Sequence, residues 1–327
     1  MGMAIIGCGS ATPQAVLTND GLSQIVDTSD EWINSRTGMK NRHICSANES
    51  LSQLAADAAK QAIAMAGISA EDVDMILLAT STPDDLFGSA GKVQHLIGAT
   101  RAVAFDLTAA CSGFVVSLIT AAQYIRTGMA RNIVVIGADV LSRWVDWSDR
   151  TTCVLFGDGA GAVVCQGISG SDRLLACGMY SDGSQCDCLN LGYQSESQAL
   201  TQEVTVQSGT YQPITMNGRD VYRFAVAKVP EAIEKAMFTA GLSNEDIDWL
   251  LLHQANQRIM DAVAKRLKLP KDKIISNIAD YGNTSAASIP LALDSAVRSG
   301  KVKPGHTIAA SGFGAGLTWS SAIFQWG

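Results

Sequence analysis

Apolar and polar positions follow two recurring patterns along the chain. Segments in which apolar residues return every three or four positions predict amphipathic helices, and short runs of consecutive apolar residues predict strands buried on both faces. Residues 60–81 show both patterns: a helical stretch ended by Gly67, an acidic loop and an apolar run. Residues 234–255 repeat this order around Gly241. The alternation predicts an α/β protein whose mostly parallel or mixed sheets are covered by helices.

These two segments indicate an internal duplication. At an offset of 174 residues they are identical at 9 of 22 positions. Residues 131–137 fall on residues 305–311 at the same offset, and both are short apolar runs. The triplet that begins at Cys111 lies 172 residues before the triplet that begins at Asn283, and each opens a helical stretch. Three matches in nearly the same register predict two copies of one α/β unit.

The duplication predicts the architecture. We expect the copies to be residues 1–170 and 171–327, stacked as five layers of helices, sheet, shared helices, sheet and helices. Residues 182–215 are rich in Ser, Gln and Tyr and have no helical period. We expect them to form a long surface excursion that contributes to the wall of a site.

Composition narrows the class of protein. The 327 residues are 47% apolar and 17% charged, which excludes wholesale disorder, and no apolar run is long enough to span a bilayer. The net charge of −7 argues against nucleic acid and anionic membrane as partners. The chain opens on Ala4–Gly7 with no basic segment, so we expect no targeting peptide and a cytoplasmic location, either bacterial or as a mature plastid form. Its eight cysteines are then expected to be mostly reduced, and we expect no metal site.

Cys111 is a candidate nucleophile. It follows a strand-like segment and opens a predicted helix, where the positive end of the helix dipole would stabilise its thiolate. The small residues on either side permit a sharp turn that resembles a nucleophile elbow. The alternative is a buried structural cysteine.

Two polar residues of the second copy are candidate partners of this cysteine. His253 ends the apolar run Trp249–Leu252, which places its imidazole at the edge of a sheet where ligands gather. Asn283 lies in a turn after Gly282, at the position that the repeat makes equivalent to Cys111. Two equivalent helix starts would face one shared site. A core histidine and a helix cap are the alternatives.

Glycine-rich segments occur in both copies. Gly312-Phe-Gly-Ala-Gly316 follows an apolar run, and its glycines free backbone N–H groups to face an anion. Because no Gly-Lys-Ser/Thr follows, an oxyanion hole fits better than a phosphate loop. The similar segment Phe156–Gly161 is predicted to be a structural turn where the two halves meet.

The sequence closely resembles the β-ketoacyl-[acyl-carrier-protein] synthase III family over almost its whole length. The segments that carry the resemblance are Ser29–Gly38, the residues around Cys111, Phe156–Gly161, His253–Asn256, Tyr281–Ala287 and Gly312–Gly316. The resemblance implies the duplicated thiolase fold and a homodimeric acyltransferase that initiates type II fatty acid synthesis. It also implies CoA thioesters as substrates and no cofactor.

The resemblance implies a role for each candidate residue. Cys111 would take the acetyl group from acetyl-CoA, while His253 and Asn283 would hydrogen-bond the thioester oxygen of malonyl-[acyl-carrier-protein] as CO₂ leaves. The carbanion would attack acetyl-Cys111 and give acetoacetyl-[acyl-carrier-protein]. The backbone N–H groups of Cys111 and Ala315 would form the oxyanion hole. The family often has glycine where Ala315 stands, so the oxyanion hole requires a negative φ at this alanine.

Substrate contacts are implied in the same way. The residues expected to contact CoA are Thr28, Trp32, Arg36, Arg150 and Asn256. The adenine would lie between Trp32 and Arg150, and Arg36 would meet a phosphate. Phe87 would cross the dimer interface and close the acyl pocket, which favours a short primer such as acetyl.

An acidic carrier protein requires a basic surface on this acidic chain. Residues 258–273 hold six basic and two acidic side chains, a local charge of +4, and Arg219 and Arg223 extend it. The residues expected at the carrier-protein interface are Arg223, Gln254, Ala255, Asn256, Gln257 and Arg258.

Other proteins share parts of this pattern. A chalcone-type polyketide synthase has the same Cys, His and Asn but uses malonyl-CoA, and a non-catalytic acyl-binding protein would need only the fold. A cysteine protease would leave the duplication unexplained. A degradative thiolase needs a cysteine near the C-terminus, whereas the last one here is Cys188, and elongating synthases have a second histidine where Asn283 stands.

Overall fold

A computed structural model describes all residues, 1–327. The strands are β1 (Gly2–Ala11), β2 (Ala15–Thr18), β3 (Asn41–Ile44), β4 (Met75–Ala79), β5 (Val103–Leu107), β6 (Asn132–Val140), β7 (Asp158–Ile168), β8 (Leu174–Ser181), β9 (Leu189–Asn190), β10 (Tyr193–Ala199), β11 (Thr205–Tyr211), β12 (Thr215–Met216), β13 (Trp249–Leu252), β14 (Ile274–Ile275), β15 (Thr307–Gly314) and β16 (Thr318–Gln325). The α-helices are α1 (Asn19–Leu22), α2 (Asp30–Thr37), α3 (Leu51–Ala66), α4 (Ala90–Ile97), α5 (Gly113–Arg126), α6 (Arg150–Cys153), α7 (Gly218–Ala240), α8 (Gln257–Arg266), α9 (Ile278–Tyr281) and α10 (Ser288–Arg298).

Ten of the strands form two five-stranded sheets with the same topology. The strand order is β1-β7-β6-β4-β5 in the first sheet and β8-β16-β15-β13-β14 in the second. In each sheet two pairs are parallel and two are antiparallel. The strands of the first sheet end by Ile168, and those of the second begin at Leu174. Each mixed sheet is therefore built from one part of the chain.

Helices lie between the two sheets and on their outer faces. Because successive strand residues point to opposite faces, each buried strand contributes to two clusters. Met75 and Leu77 of β4 and Leu251 of β13 pack with α5 and α10 between the sheets. Ile76 and Leu78 face α3 and α4, and the other face of β13 packs against α7 and α8. The result is the predicted five-layer order α-β-α-β-α.

The repeated sequence segments adopt the same local structure. Helices α3 and α7 end at Gly67 and Gly241, and both glycines have a φ of +67°, a conformation that favours glycine. A capping box follows each helix, formed in the first copy by Ser69 and Asp72. The identities shared by the two segments thus include the residues that end the helix and shape the loop.

Residues 182–215 form a surface excursion, as predicted. Strands β10 and β11 pair as a hairpin that is exposed along its whole length. The short strands β9 and β12 pair at its base. Leu189, Leu191 and Ile214, near that base, line a cavity that reaches Cys111. The excursion therefore contributes to the wall of the site.

Three further observations concern the whole chain. No helix combines the length and the apolar character needed to cross a bilayer. All eight cysteines are free thiols. No group of three or more His, Cys, Asp and Glu side chains is arranged to hold a metal ion.

Candidate active site

The three candidate residues line one cavity of about 230 Å³. Cys111 comes from a 3₁₀ turn, Ala110–Ser112, at the start of α5. His253 follows β13, and Asn283 lies between α9 and the 3₁₀ turn Ser285–Ala287 that leads into α10. The side chains thus come from different halves of the chain, and the fold brings them together as the sequence predicted.

The turn at Cys111 is strained. Ala110 has a φ of +46°, which is uncommon for a residue with a side chain. Gly312 of β15 packs against this turn so closely that a Cβ there would lie 2.8 Å from the Cα of Ser112. A sharp turn held against a glycine strand is the elbow-like geometry predicted for a nucleophile.

Burial dominates the acidity of Cys111. The residue is only 8% exposed, and burial raises the pKa of its thiol to about 12. A hydrogen bond from Ser285 lowers this pKa, and the charge of Asp139 raises it. The backbone N–H of Cys111 also lowers this pKa, in the direction expected at a helix start, but the effect of burial is larger. The thiol is protonated at neutral pH.

Cys111 and Asn283 do not occupy equivalent positions. The turns Ala110–Ser112 and Ser285–Ala287 match at an offset of 175 residues, since each passes directly into its helix. Ala110 and Ser285 also share a positive φ, +46° and +50°. Cys111 therefore corresponds to Ala286, and the predicted equivalence is wrong by three residues. The two turns do contact each other at one site, as expected.

Asp139, which the sequence does not single out, connects the two halves of the chain near these turns. Its buried carboxylate accepts hydrogen bonds from the Ser81 N–H at 2.8 Å and the Thr82 hydroxyl at 2.9 Å in the first half. It also accepts the Ala286 N–H of the second half at 3.1 Å. Burial raises the pKa of this carboxyl. The sequence feature that could have identified Asp139 is its place as the one acidic residue in the mostly apolar segment Asn132–Val140.

His253 is buried and neutral. Burial lowers the pKa of its imidazole to about 3, so the ring carries no charge at neutral pH. Nδ1 lies 2.7 Å from the hydroxyl oxygen of Ser288. The ring of Phe313 packs edge-on, with 5.3 Å between the ring centroids. These contacts leave the other ring nitrogen, Nε2, for the cavity.

Asn283 is held so that its amino group is free to donate. The side-chain oxygen accepts the N–H of Ser285 at 2.9 Å, which fixes which end of the amide is the oxygen. The Asn283 backbone pairs with the first half, donating to the Leu155 carbonyl at 2.9 Å and accepting the Gly157 N–H at 3.0 Å. The Phe156–Gly161 segment thus begins at a contact between the halves, as predicted.

A second, mostly apolar cavity of about 410 Å³ also borders Cys111. Its apolar lining includes Leu86, Leu141, Trp144, Leu189, Leu191 and Ile214. Ala315 also lines it and is not among the residues with a positive φ, so the condition set for its N–H is met. Phe87 is fully exposed and does not reach this cavity within its own chain, whereas the adjacent Leu86 does.

A surface groove lined by basic residues adjoins the cavity of Cys111, His253 and Asn283. It begins at Thr151, Met216 and Gly218, which line both, and it reaches Arg36 and Arg219 near the start of α7. Two guanidinium groups therefore line the groove that adjoins the cavity of Cys111.

The residues expected around adenine lie together, but the space between them is closed. The guanidinium carbons of Arg36 and Arg150 lie 4.7 Å and 4.9 Å from the centroid of the Trp32 ring. A base stacked between two planes needs roughly 7 Å, twice the carbon contact distance, so Arg150 must move to admit one. The buried hydroxyl of Thr28 has no hydrogen-bond partner. Asn256 caps α8 and lines the cavity with Cys111.

The expected carrier-protein surface needs one correction. Gln254 is fully buried, and its side chain bonds the Leu252 and Ile275 carbonyls and the Asn277 N–H. It supports the backbone around His253 and is absent from the surface. Arg258 is exposed and donates to the Ser35 carbonyl at 2.9 Å.

The other residues of this expected surface differ in their exposure and in whether they already have partners within the chain. Ala255, Asn256 and Gln257 are half-buried, and Arg223 is exposed beside Asp220. Within the +4 segment, several basic side chains already have partners: Arg266 with Glu234, Lys271 with Asp261, and Lys273 with the Ile247 carbonyl.

Comparison with known proteins gives a consistent result. Family models for 3-oxoacyl-[acyl-carrier-protein] synthase III match residues 105–183, and residues 237–326 match its C-terminal part. The chain is 68% identical over 325 residues to the β-ketoacyl-[acyl-carrier-protein] synthase III of Microcystis aeruginosa, covering 99% of this chain and 98% of that protein. The enzyme of the same name from Synechocystis is 65% identical over 325 residues, which again cover 99% of this chain and 98% of that protein. The chain belongs to the β-ketoacyl-[acyl-carrier-protein] synthase III family.

Solved structures agree with this family. The synthase III of Aquifex aeolicus superposes with a TM-score of 0.91 at 43% identity, covering 99% of this chain and all of the other. A priming β-ketosynthase from the R1128 polyketide pathway gives a TM-score of 0.90 at 32% identity, covering 99% of this chain and 96% of the other. The predicted duplicated thiolase fold and the predicted condensing acyltransferase of fatty acid synthesis are confirmed. The polyketide-type and non-catalytic alternatives are not favoured.

Proposed function

We propose that this synthase III transfers acetyl from acetyl-CoA to Cys111 and condenses it with malonyl-[acyl-carrier-protein]. The products are acetoacetyl-[acyl-carrier-protein], CoA and CO₂. The observation that carries the proposal is one cavity lined by a buried thiol, a neutral imidazole and a carboxamide free to donate, those of Cys111, His253 and Asn283. Decarboxylation supplies the carbanion, so the chemistry needs no cofactor.

In the loading step, the sulfur of Cys111 attacks the acetyl carbonyl of acetyl-CoA. The new C–S bond forms, the bond to CoA breaks, and the proton of the thiol ends on the CoA sulfur. Because burial raises the pKa of this thiol to about 12, loss of that proton is a costly part of the step. The backbone N–H groups of Cys111 and Ala315 stabilise the tetrahedral oxyanion, and Ala315 lines the cavity beside the sulfur.

In the condensation step, the malonyl carboxylate leaves as CO₂, and its bonding electron pair passes into an enolate. The neutral imidazole of His253 and the amino group of Asn283 donate hydrogen bonds to the enolate oxygen. The carbanion attacks acetyl-Cys111, a C–C bond forms, the C–S bond breaks, and the released thiolate takes up a proton. A charged imidazolium is not needed, which agrees with the lowered pKa of His253.

The groove from the cavity is proposed to hold CoA. Arg36 and Arg219 would meet its phosphates, and the adenine would stack on Trp32 after Arg150 swings away. The unpartnered hydroxyl of Thr28 would then hydrogen-bond the base.

Macromolecular partners complete the proposal. The carrier protein would dock on exposed Arg223 and Arg258 beside the cavity mouth, with Ala255, Asn256 and Gln257 between them. We also propose a homodimer in which fully exposed Phe87 enters the acyl cavity of the partner subunit. The halves 1–170 and 171–327 would act as one catalytic unit, because each supplies residues to the site.

A competition between substrates tests this function. Acetyl-CoA and longer acyl-CoA primers are mixed with the enzyme and with either malonyl-[acyl-carrier-protein] or malonyl-CoA, and the products are separated by mass. We expect acetoacetyl-[acyl-carrier-protein] to dominate. Efficient condensation with malonyl-CoA instead would favour a polyketide-type role, and no condensation with either would contradict the proposal.

A further inference from the structure

Ser288 is the only hydrogen-bond partner of the His253 ring at Nδ1. Its hydroxyl oxygen lies 2.7 Å from that nitrogen, and both residues are almost fully buried. Ser288 is the first residue of α10, five positions after Asn283, so one turn delivers both side chains to the site. Ser288 directly follows the segment Tyr281–Ala287, and the sequence gives it no role.

The hydrogen bonds of this hydroxyl determine its direction. The Ser288 oxygen already accepts the backbone N–H of Gln254 at 3.3 Å. Its single proton has one acceptor within reach, Nδ1 of His253. If Nδ1 carried a proton instead, the oxygen would accept two N–H groups, and its own buried proton would have no partner, which is unfavourable.

We propose that Ser288 is a positioning residue that donates its hydroxyl proton to Nδ1 of His253 and thereby fixes the proton of the neutral imidazole on Nε2. A neutral ring has one protonated nitrogen, so the lone pair lies on Nδ1 and an N–H faces the cavity. This tautomer is the one that can donate to an enolate oxygen. The opposite tautomer would direct a lone pair at that oxygen and repel it.

The inference rests on the proposed function only for its catalytic consequence. The tautomer itself is a property of the free protein and can be measured without turnover. The catalytic consequence concerns the condensation step, because the proposed loading step uses the thiol and backbone N–H groups and does not require a donor on His253.

Nitrogen NMR on protein labelled with ¹⁵N in its histidine rings tests the tautomer directly. The signals of His253 are assigned by their loss in His253→Gln. We expect a protonated Nε2 and an unprotonated Nδ1 at pH 7. A protonated Nδ1 in the unmodified protein would overturn the inference, whatever the variants show.

Variants then test the consequence. In Ser288→Ala the tautomer population is expected to shift toward Nδ1–H, and condensation is expected to fall about 10-fold, while acetyl loading of Cys111 is unchanged. Ser288→Thr, which keeps the hydroxyl, is expected to restore the tautomer. Ser295→Ala is the matched control, since that hydroxyl lies on the same helix and bonds only the Leu291 carbonyl.

The possible results separate the two proposals. An unchanged tautomer or unchanged condensation in Ser288→Ala would contradict a positioning role. Equal losses of loading and condensation would indicate a merely structural role and would also contradict it. If the unmodified protein shows Nε2–H but does not load acetyl, the proposed function fails while the assignment of the tautomer stands.

Discussion

Gly314 lies directly against the backbone nitrogen of Cys111: a Cβ at position 314 would come within 2.6 Å of that nitrogen. Real Cβ atoms do not approach so closely, so β15 can pass behind the nucleophile only because it carries glycine there. Ala315, whose N–H is assigned to the oxyanion hole, follows directly after the last residue of this strand. The position of the thiol and that of its oxyanion donors are therefore set by one close backbone contact.

Gly314→Ala is expected to displace the turn at Cys111 and to slow acetyl loading about 100-fold, because a shift of about 1 Å in a reacting group has that effect. The rate is measured by rapid mixing with acetyl-CoA and intact mass. Gly91→Ala, at an exposed helical position where a Cβ meets nothing within 4 Å, is the matched control and is expected to load normally. Loading by Gly314→Ala at the control rate would show that the contact does not position the nucleophile.

Removal of a donor from the second half is expected to separate the two steps. In His253→Ala or Asn283→Ala, decarboxylation of malonyl-[acyl-carrier-protein] should fall by about 100-fold or more, since each variant removes a hydrogen bond to the enolate oxygen. Acetyl loading should persist in both. Release of ¹⁴CO₂ measures decarboxylation, and intact mass measures acetyl loading. Loss of loading in both variants would mean that the roles are assigned wrongly.

The features that could be predicted from the sequence are those set by interactions between residues close together in the chain. Gly67 and Gly241 and the capping boxes act within a few residues, so the repeat predicted the helix ends and the strands that follow. Cys111, His253 and Asn283 could be chosen because chemically distinctive residues stand at strand and helix ends. Helices α5 and α10 each begin after a 3₁₀ segment, which the pattern of apolar residues does not reveal. The predicted equivalence of Cys111 and Asn283 was therefore wrong by three residues.

Burial and contacts between distant elements explain the other differences between the sequence predictions and the structure. Gln254 follows His253 in the chain and has the polarity of a surface residue, yet tertiary packing buries it. The pKa of Cys111 is dominated by desolvation from elements distant in the sequence, which outweighs the local effect of the helix start. Asp139 and Ser288 were missed because their roles arise from contacts with residues distant in the sequence. Asp139 accepts the N–H of Ala286 in the other half of the chain, and Ser288 contacts the ring of His253.

Trp32→Ala is expected to weaken the binding of acetyl-CoA and to leave a substrate without a nucleotide unaffected. Loss of one base-stacking contact should raise KM for acetyl-CoA by roughly 10-fold. With acetyl-pantetheine, which lacks adenine and ribose, the variant and the unmodified enzyme should have the same KM. Steady-state kinetics with both substrates measures this difference, and an equal rise in both values of KM would place the adenine elsewhere.

The neutral state of His253 predicts a pH dependence of stability. Its folded pKa of about 3 lies below the ordinary value of 6.5, so below pH 6.5 the unfolded chain binds a proton that the folded chain does not. This residue's contribution to stability is therefore present above pH 6.5 and is lost as the pH falls toward 3. Between pH 7 and 5 the free energy of unfolding should fall by about 2 kcal/mol more in the unmodified protein than in His253→Gln.

Urea unfolding of both proteins at the two pH values measures that difference. Other titrating groups are common to both chains and cancel in the comparison. An equal fall in the two proteins would show that His253 is solvated or charged in the folded state.

Intact mass after mixing with acetyl-CoA is the measurement that shows whether Cys111 carries the acyl group. We expect a gain of about 42 Da, one acetyl group replacing a hydrogen, in the unmodified enzyme and none in Cys111→Ala. Each of the other seven cysteines serves as an internal control, since none should react. An unmodified enzyme that gains no mass, or a Cys111→Ala variant that still gains it, would show that Cys111 does not carry the acyl group.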